Sequence, residues 1–124
     1  MTDKWNIVYY TGRDGKCPIE EFIDNRNRRN QAKIMAAISM LEEKGPILNR
    51  PYADILTDGI HELRIKLSGD QIRILYFFCY KNNIVLTHSF YKTTSKVPKK
   101  EIKKAIQCRE DFLSRFRKED IPEQ

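Results

Sequence analysis

Two short breaks, Ser68-Gly69-Asp70 and Lys81-Asn82-Asn83, divide the middle of this chain into three runs rich in β-branched and aromatic residues, at 60–67, 71–80 and 84–91. Glycine and asparagine accept the positive φ of tight hairpin turns, so the runs read as an antiparallel meander. A meander constrains more than the fold class. Side chains alternate between the two faces of a sheet, so fixing the turns assigns every strand residue to a side.

With Gly69-Asp70 and Asn82-Asn83 as the central turn residues, Lys66 lies opposite Arg73, and Arg73 lies opposite Lys92. One face then carries Arg64, Lys66, Arg73 and Lys92 beside Leu75, Phe77, His88 and Phe90. The other carries Leu63, Ile65, Leu67, Ile72, Ile74, Tyr76, Phe78, Val85 and Tyr91, an apolar set suited to packing under helices. A slip of one residue in either turn would move a strand's cations to the other side. Like charges opposed across strands destabilise a sheet by about 0.2–1 kcal/mol per pair. Acids are scarce on the mixed face, Glu62 and Asp70 being those available to pair, so it is suited to an arriving anion such as a phosphodiester.

The flanking segments supply the helices. Residues 4–10 read as a first strand ended by the turn residues 11–15. A helix begins at Pro18, with Glu20 and Glu21 in its first turn, and runs to about Asp24. After the polar stretch 25–30, Ile34, Ile38 and Leu41 recur at helical spacing until Gly45-Pro46. Residues 46–59 read as a connecting loop, with a turn of helix around 52–56. The last helix starts near Pro98 and lines up Ile102, Ala105, Ile106, Arg109, Leu113 and Phe116 on one stripe. Trp5 is expected in the core.

At 124 residues the chain is read as one domain, 1–124, large enough for one two-layer core. Its 23 Lys+Arg against 17 Asp+Glu give a net charge of +6, which favours an acidic partner. Cys17, Cys79 and Cys108 are odd in number and far apart, which excludes a disulfide framework and a paired-cysteine metal site and points to a reducing cytoplasm. Residues 1–10 show no secretory leader, and no apolar run approaches the ~20 residues that span a bilayer. A soluble cytoplasmic protein with no membrane contact is expected.

Four pieces in order carry a family resemblance: Gly59-Ile60-His61-Glu62-Leu63-Arg64; Ile72-Arg73-Ile74-Leu75-Tyr76-Phe77-Phe78; Leu86-Thr87-His88-Ser89-Phe90-Tyr91-Lys92; and Lys96-Val97-Pro98 with Glu101 and Ala105. Together they resemble the RelE/ParE superfamily of bacterial toxins, closest to its HigB-like, phage-derived branch. The resemblance implies an α+β (α/β) fold: a small RelE-like domain whose curved antiparallel sheet packs on two amino-terminal helices, with a carboxyl-terminal helix. It also implies a toxin of a toxin–antitoxin pair that cleaves mRNA on the ribosome without a metal or other cofactor. A helix-turn-helix antitoxin is the implied protein partner, with mRNA and ribosomal RNA as the nucleic-acid partners. Thr93 stands where the family pattern has a second lysine, Val97 stands where it has a threonine, and no Tyr or His lies near the carboxyl end. A ParE-like gyrase inhibitor and a noncatalytic phage-derived regulator share the fold and remain alternatives.

Metal-free RNA cleavage uses the 2′-hydroxyl as nucleophile, so the site must move two protons and stabilise a dianionic phosphorane. Arginine suits the charge stabilisation, because its planar fork holds two phosphate oxygens. Arg64 and Arg73 are therefore the candidates for phosphate orientation, and Lys66 or Lys92 for proton transfer. His88 could titrate in the useful range. Lys96, Lys99 and Lys100 are candidates for RNA phosphate contacts, and Phe90 for base stacking. Tyr76 and Tyr91 could also stack, although core packing explains them more simply.

Overall fold

The computed structural model describes residues 4–117 and Asp120. The expected domain 1–124 therefore includes residues 1–3, 118–119 and 121–124, which lie outside the described part. Five strands, β1 (Asn6–Tyr9), β2 (Ala53–Ile55), β3 (His61–Leu67), β4 (Asp70–Cys79) and β5 (Asn83–Tyr91), form one sheet in the order β1-β5-β4-β3-β2. Among the described residues three α-helices accompany it, α1 (Pro18–Asp24), α2 (Arg28–Lys44) and α3 (Lys99–Arg115). The architecture is the expected mixture of helices and sheet, with one difference in polarity. The sheet is not wholly antiparallel, because β1 pairs in parallel with β5. The side chains of Asn6 and Asn83 face each other at 2.7 Å at the start of that pairing.

Local chemistry explains the helix limits. Pro18 opens α1, where its missing N–H leaves no intrahelical bond unmade. Asn27 caps α2 by accepting a hydrogen bond from the Asn30 N–H at 2.8 Å. Gly45 ends α2 at φ 54°, and a Cβ there would collide with the Trp5 indole. Trp5 is half-buried and packs edge-on against Phe78. The stretch expected to be loop contains a short 3-10 turn at Gly45–Ile47 and the edge strand β2, in place of a helical turn at 52–56.

Both hairpins differ from the expected register. Leu67 pairs with Asp70, so Ser68 (φ 47°) and Gly69 (φ 94°) are the central turn residues. Lys66 therefore faces Gln71, and Arg73 faces Arg64 on one side and Phe90 on the other, with neither Lys66 nor Lys92 directly opposite it. The second turn comprises Tyr80, Lys81 and Asn82, since Cys79 pairs with Asn83. A bulge then places Leu75 opposite His88 but Tyr76 opposite Leu86. Thr87 is the extra residue, and its hydroxyl donates to the Leu75 carbonyl at 3.1 Å.

The bulge has a visible effect on the core. Beyond it the faces of β5 exchange, so Val85 pairs with Phe77 and leaves the side to which simple alternation assigns it. One core lies under α1 and α2 and gathers Ile19, Ile34, Ile38, Leu41, Leu63, Ile65, Ile72, Ile74 and Tyr76. The second lies on the opposite face, where Leu75, Phe77 and Val85 meet Ala105 and Phe112 of α3. The stripe of α3 that is buried runs through Ala105, Cys108 and Phe112, whereas Leu113 is exposed and Arg109 bonds the Asp58 carbonyl. The mixed face of the sheet is thus split between a helix-covered half and an open half.

Candidate functional site

The open half is a cleft of about 320 Å³. Its floor is Glu62 and Arg64 of β3 with Arg73 of β4. One wall comes from Arg50, Asp54 and residues 55–57, and the other from Lys92, the connection 95–97 and Ile102 of α3. The Lys92 N–H donates to the Gln71 carbonyl at 2.8 Å, which extends the β5 pairing and holds Lys92 at the rim. Pro98 is itself the N-cap residue of α3 and has no side-chain acceptor to offer, so position 97, where the family pattern has a threonine, lies one residue before the cap.

Five cations line this cleft against two carboxylates, and each carboxylate is already engaged. Arg73 is buried, and its Nε donates to Glu62 Oε1 at 2.6 Å. Its remaining nitrogens donate to the Ile72 carbonyl and to Gln71 Oε1, both at 3.2 Å. Burial pulls the Arg73 pKa down while the Glu62 carboxylate raises it. At the far wall Arg50 holds Asp54, with Nη2 to Oδ2 at 2.8 Å. The hydrogen bond from Arg50 and a second from the Ile55 N–H lower the Asp54 pKa, which keeps it ionised. Arg64, Lys92 and Lys96 have no side-chain hydrogen bond or ion pair among the described residues. Three positive charges are left without a partner around one hollow.

The other sequence candidates fall outside it. Lys66 is exposed in an adjoining hollow that shares Arg64 and Arg73 with the cleft. Lys99 and Lys100 are exposed in the first turn of α3 and do not line it. His88 is 2% exposed, with Nδ1 3.0 Å from the Thr87 hydroxyl and Nε2 3.1 Å from Glu101 Oε1. Its pKa is pushed down chiefly by burial, with the Glu101 hydrogen bond opposing. Phe90 packs on the α3 core and stacks on His88 at 5.7 Å. These two residues join the sheet to α3, because the helix covers the part of the face they occupy. Sequence reasoning missed Asp54, the middle residue of the three-residue strand β2, and Arg50, which precedes it. The signal for Glu62 was present, since it is two residues from Arg64 and must share its face.

Comparison with known proteins fits this picture. Residues 21–110 match the family described as "Phage derived protein Gp49-like". The chain belongs to that Gp49-like family. The expected phage-derived, HigB-like kinship is thereby met. A Mycobacterium tuberculosis (strain ATCC 25618 / H37Rv) protein named "Putative toxin HigB3" is 36% identical over 62 residues, covering 48% of this chain and 54% of the relative. The chain thus spans about half the length of that curated relative. The family match covers α2, the whole sheet except β1, and most of α3, so it includes every residue lining the cleft.

Proposed function

We propose that this Gp49-like chain is the toxin of a toxin–antitoxin pair and that its cleft binds and cleaves RNA. One observation carries the reading: Arg64, Lys92 and Lys96 surround a hollow in which both carboxylates are already neutralised by arginines. Such a hollow attracts an anion and offers a metal few free carboxylate oxygens. A phosphodiester entering it meets the Arg64 guanidinium on the floor, which can hold two non-bridging oxygens at once. Arg73, fixed by Glu62, adds a positive field that needs no rearrangement as charge builds on the phosphorane. On the rim, Lys92 or Lys96 donates a proton to the leaving 5′-oxygen, and Lys66, in the adjoining hollow, accepts the proton that the 2′-hydroxyl gives up as its oxygen bonds to phosphorus. The kinship with a protein named as a toxin supports the biological role, and with it a neighbouring antitoxin, mRNA and the ribosome as partners.

Expression without antitoxin, followed by primer extension on cellular messages, tests the reading. Wild-type chain should generate discrete new 5′ ends. Arg64→Ala should reduce them by about 10²–10³-fold, the loss usual for one well-placed donor to a developing oxyanion. A second reading, a noncatalytic RNA binder, is favoured by the enclosure of His88, which leaves the cleft without a histidine. Normal growth on strong expression without antitoxin, with no new 5′ ends, would select it.

A further inference from the structure

Simple alternation assigns Tyr91 to the helix-packed face, yet the residue is 44% exposed. It stands next in the chain to Lys92, a rim residue of the cleft, at the end of β5. The Phe22 ring of α1 packs against it at 5.7 Å. Arg26 completes the group, with its guanidinium carbon 4.5 Å from the Phe22 ring centre and 5.5 Å from that of Tyr91. No carboxylate pairs with Arg26 among the described residues, and its Nε is buried without a hydrogen-bond partner. Two aromatic rings hold this cation, and its charge is not neutralised.

An exposed aromatic face backed by an unpaired guanidinium is the chemistry that takes an unpaired nucleobase and its phosphate. The ring supplies stacking that any base can use, and the arginine supplies a charge-assisted contact to the backbone. We propose that Tyr91, Phe22 and Arg26 form a second RNA subsite, which stacks a base flanking the phosphate held at Arg64. The proposal rests on the RNA reading of the cleft and adds a position to it. Tyr91 and Lys92 are adjacent, but their side chains leave opposite faces of the strand. The bound strand therefore turns over the end of the sheet, with Lys92 at the bend. Duplex cannot make that turn with its bases paired, so the subsite selects single strands.

The test is fluorescence anisotropy of the purified protein with a labelled eight-nucleotide single-stranded RNA and with the same RNA carrying one abasic residue, moved along the strand. Tyr91→Ala should weaken binding of the intact RNA about ten-fold, and Tyr91→Phe should retain it, because the ring is what stacks. At one position the abasic RNA should bind wild type and Tyr91→Ala equally. Arg26→Gln, which leaves both rings in place, should weaken intact and abasic RNA alike. If Arg64→Ala loses binding while Tyr91→Ala and Arg26→Gln bind as wild type, the subsite is refuted and the cleft reading stands. If wild type binds neither RNA, both readings fall together.

Discussion

Replacing Arg73 with alanine should unfold the protein more readily as well as silence it, and the size of that effect follows from the Glu62 contact. The two side chains are 3% and 7% exposed, and Nε and Oε1 are 2.6 Å apart. Removing one member of a buried pair typically costs about 3–5 kcal/mol, because the other charge is left without solvent or partner. Two further hydrogen bonds, to the Ile72 carbonyl and the Gln71 side chain, are lost with it. For a chain of this size that corresponds to a fall in Tm of about 12–20 °C. Urea denaturation followed by circular dichroism measures it directly. The double variant Glu62→Leu/Arg73→Met should recover most of the loss, since replacing both charges by apolar side chains removes the orphan. Arg64→Ala, in contrast, removes a half-exposed and unpaired cation and should cost under about 1 kcal/mol. If Arg73→Ala were within about 1 kcal/mol of wild type, the Glu62 pair would not be holding the floor of the cleft. Arg73 would then be a free ligand for phosphate and not a fixed part of the floor.

Stability should also depend on pH through the histidines. Burial lowers the folded pKa of His88 and of His61 below 6.5, so the unfolded chain binds more protons below that value. Stability is therefore full above about pH 6.5 and is lost as pH falls toward the folded values; urea midpoints at several pH values should show this, with a shallower fall in His88→Gln. Gly45→Ala should destabilise by about 2 kcal/mol or more, because the site has φ 54° and the new Cβ meets the Trp5 indole; thermal denaturation checks it. Lys92→Ala and Lys96→Ala should each reduce the slope of log affinity against log salt by about 0.7 for single-stranded RNA, the value for one lost phosphate contact. Titrations at three salt concentrations measure that slope.

The split between what the sequence disclosed and what it hid follows from parity. The first turn lies one residue from the expected one, which shifts the pairing by two, and a shift of two leaves every side chain on its own face. Arg64, Lys66 and Arg73 were therefore assigned correctly to one side although their partners across the strands were not. The bulge at Thr87 is a shift of one, which moved Val85 to the α3 core, and no turn residue marks it. That α3 would cover half of the mixed face was legible in Leu75, Phe77 and Phe90, three large apolar residues on a supposedly open surface. Their presence also implied the enclosure of His88. Arg50 and Asp54 depend on the path of a long connection, for which local sequence carries no periodic signal.

The observed register also explains why one arginine is locked and its neighbour is free. Arg64 and Arg73 sit directly opposite each other on β3 and β4, an arrangement that repulsion disfavours. Glu62, two residues from Arg64 on the same strand, reaches diagonally to Arg73 and neutralises it at a cost already met in folding. Arg64 can then remain unpaired beside it without an unopposed pair of like charges. The carboxylate thus does two things at once: it makes the opposed arginines tolerable in the empty protein, and it fixes the Arg73 fork. A ligand phosphate has only Arg64 and the rim lysines left to order. Glu62→Gln should accordingly weaken the fold through a buried, less fully paired Arg73, and should increase the attraction of the cleft for anions. Moving stability and anion affinity in opposite directions is the behaviour that separates a neutralising carboxylate from a catalytic one.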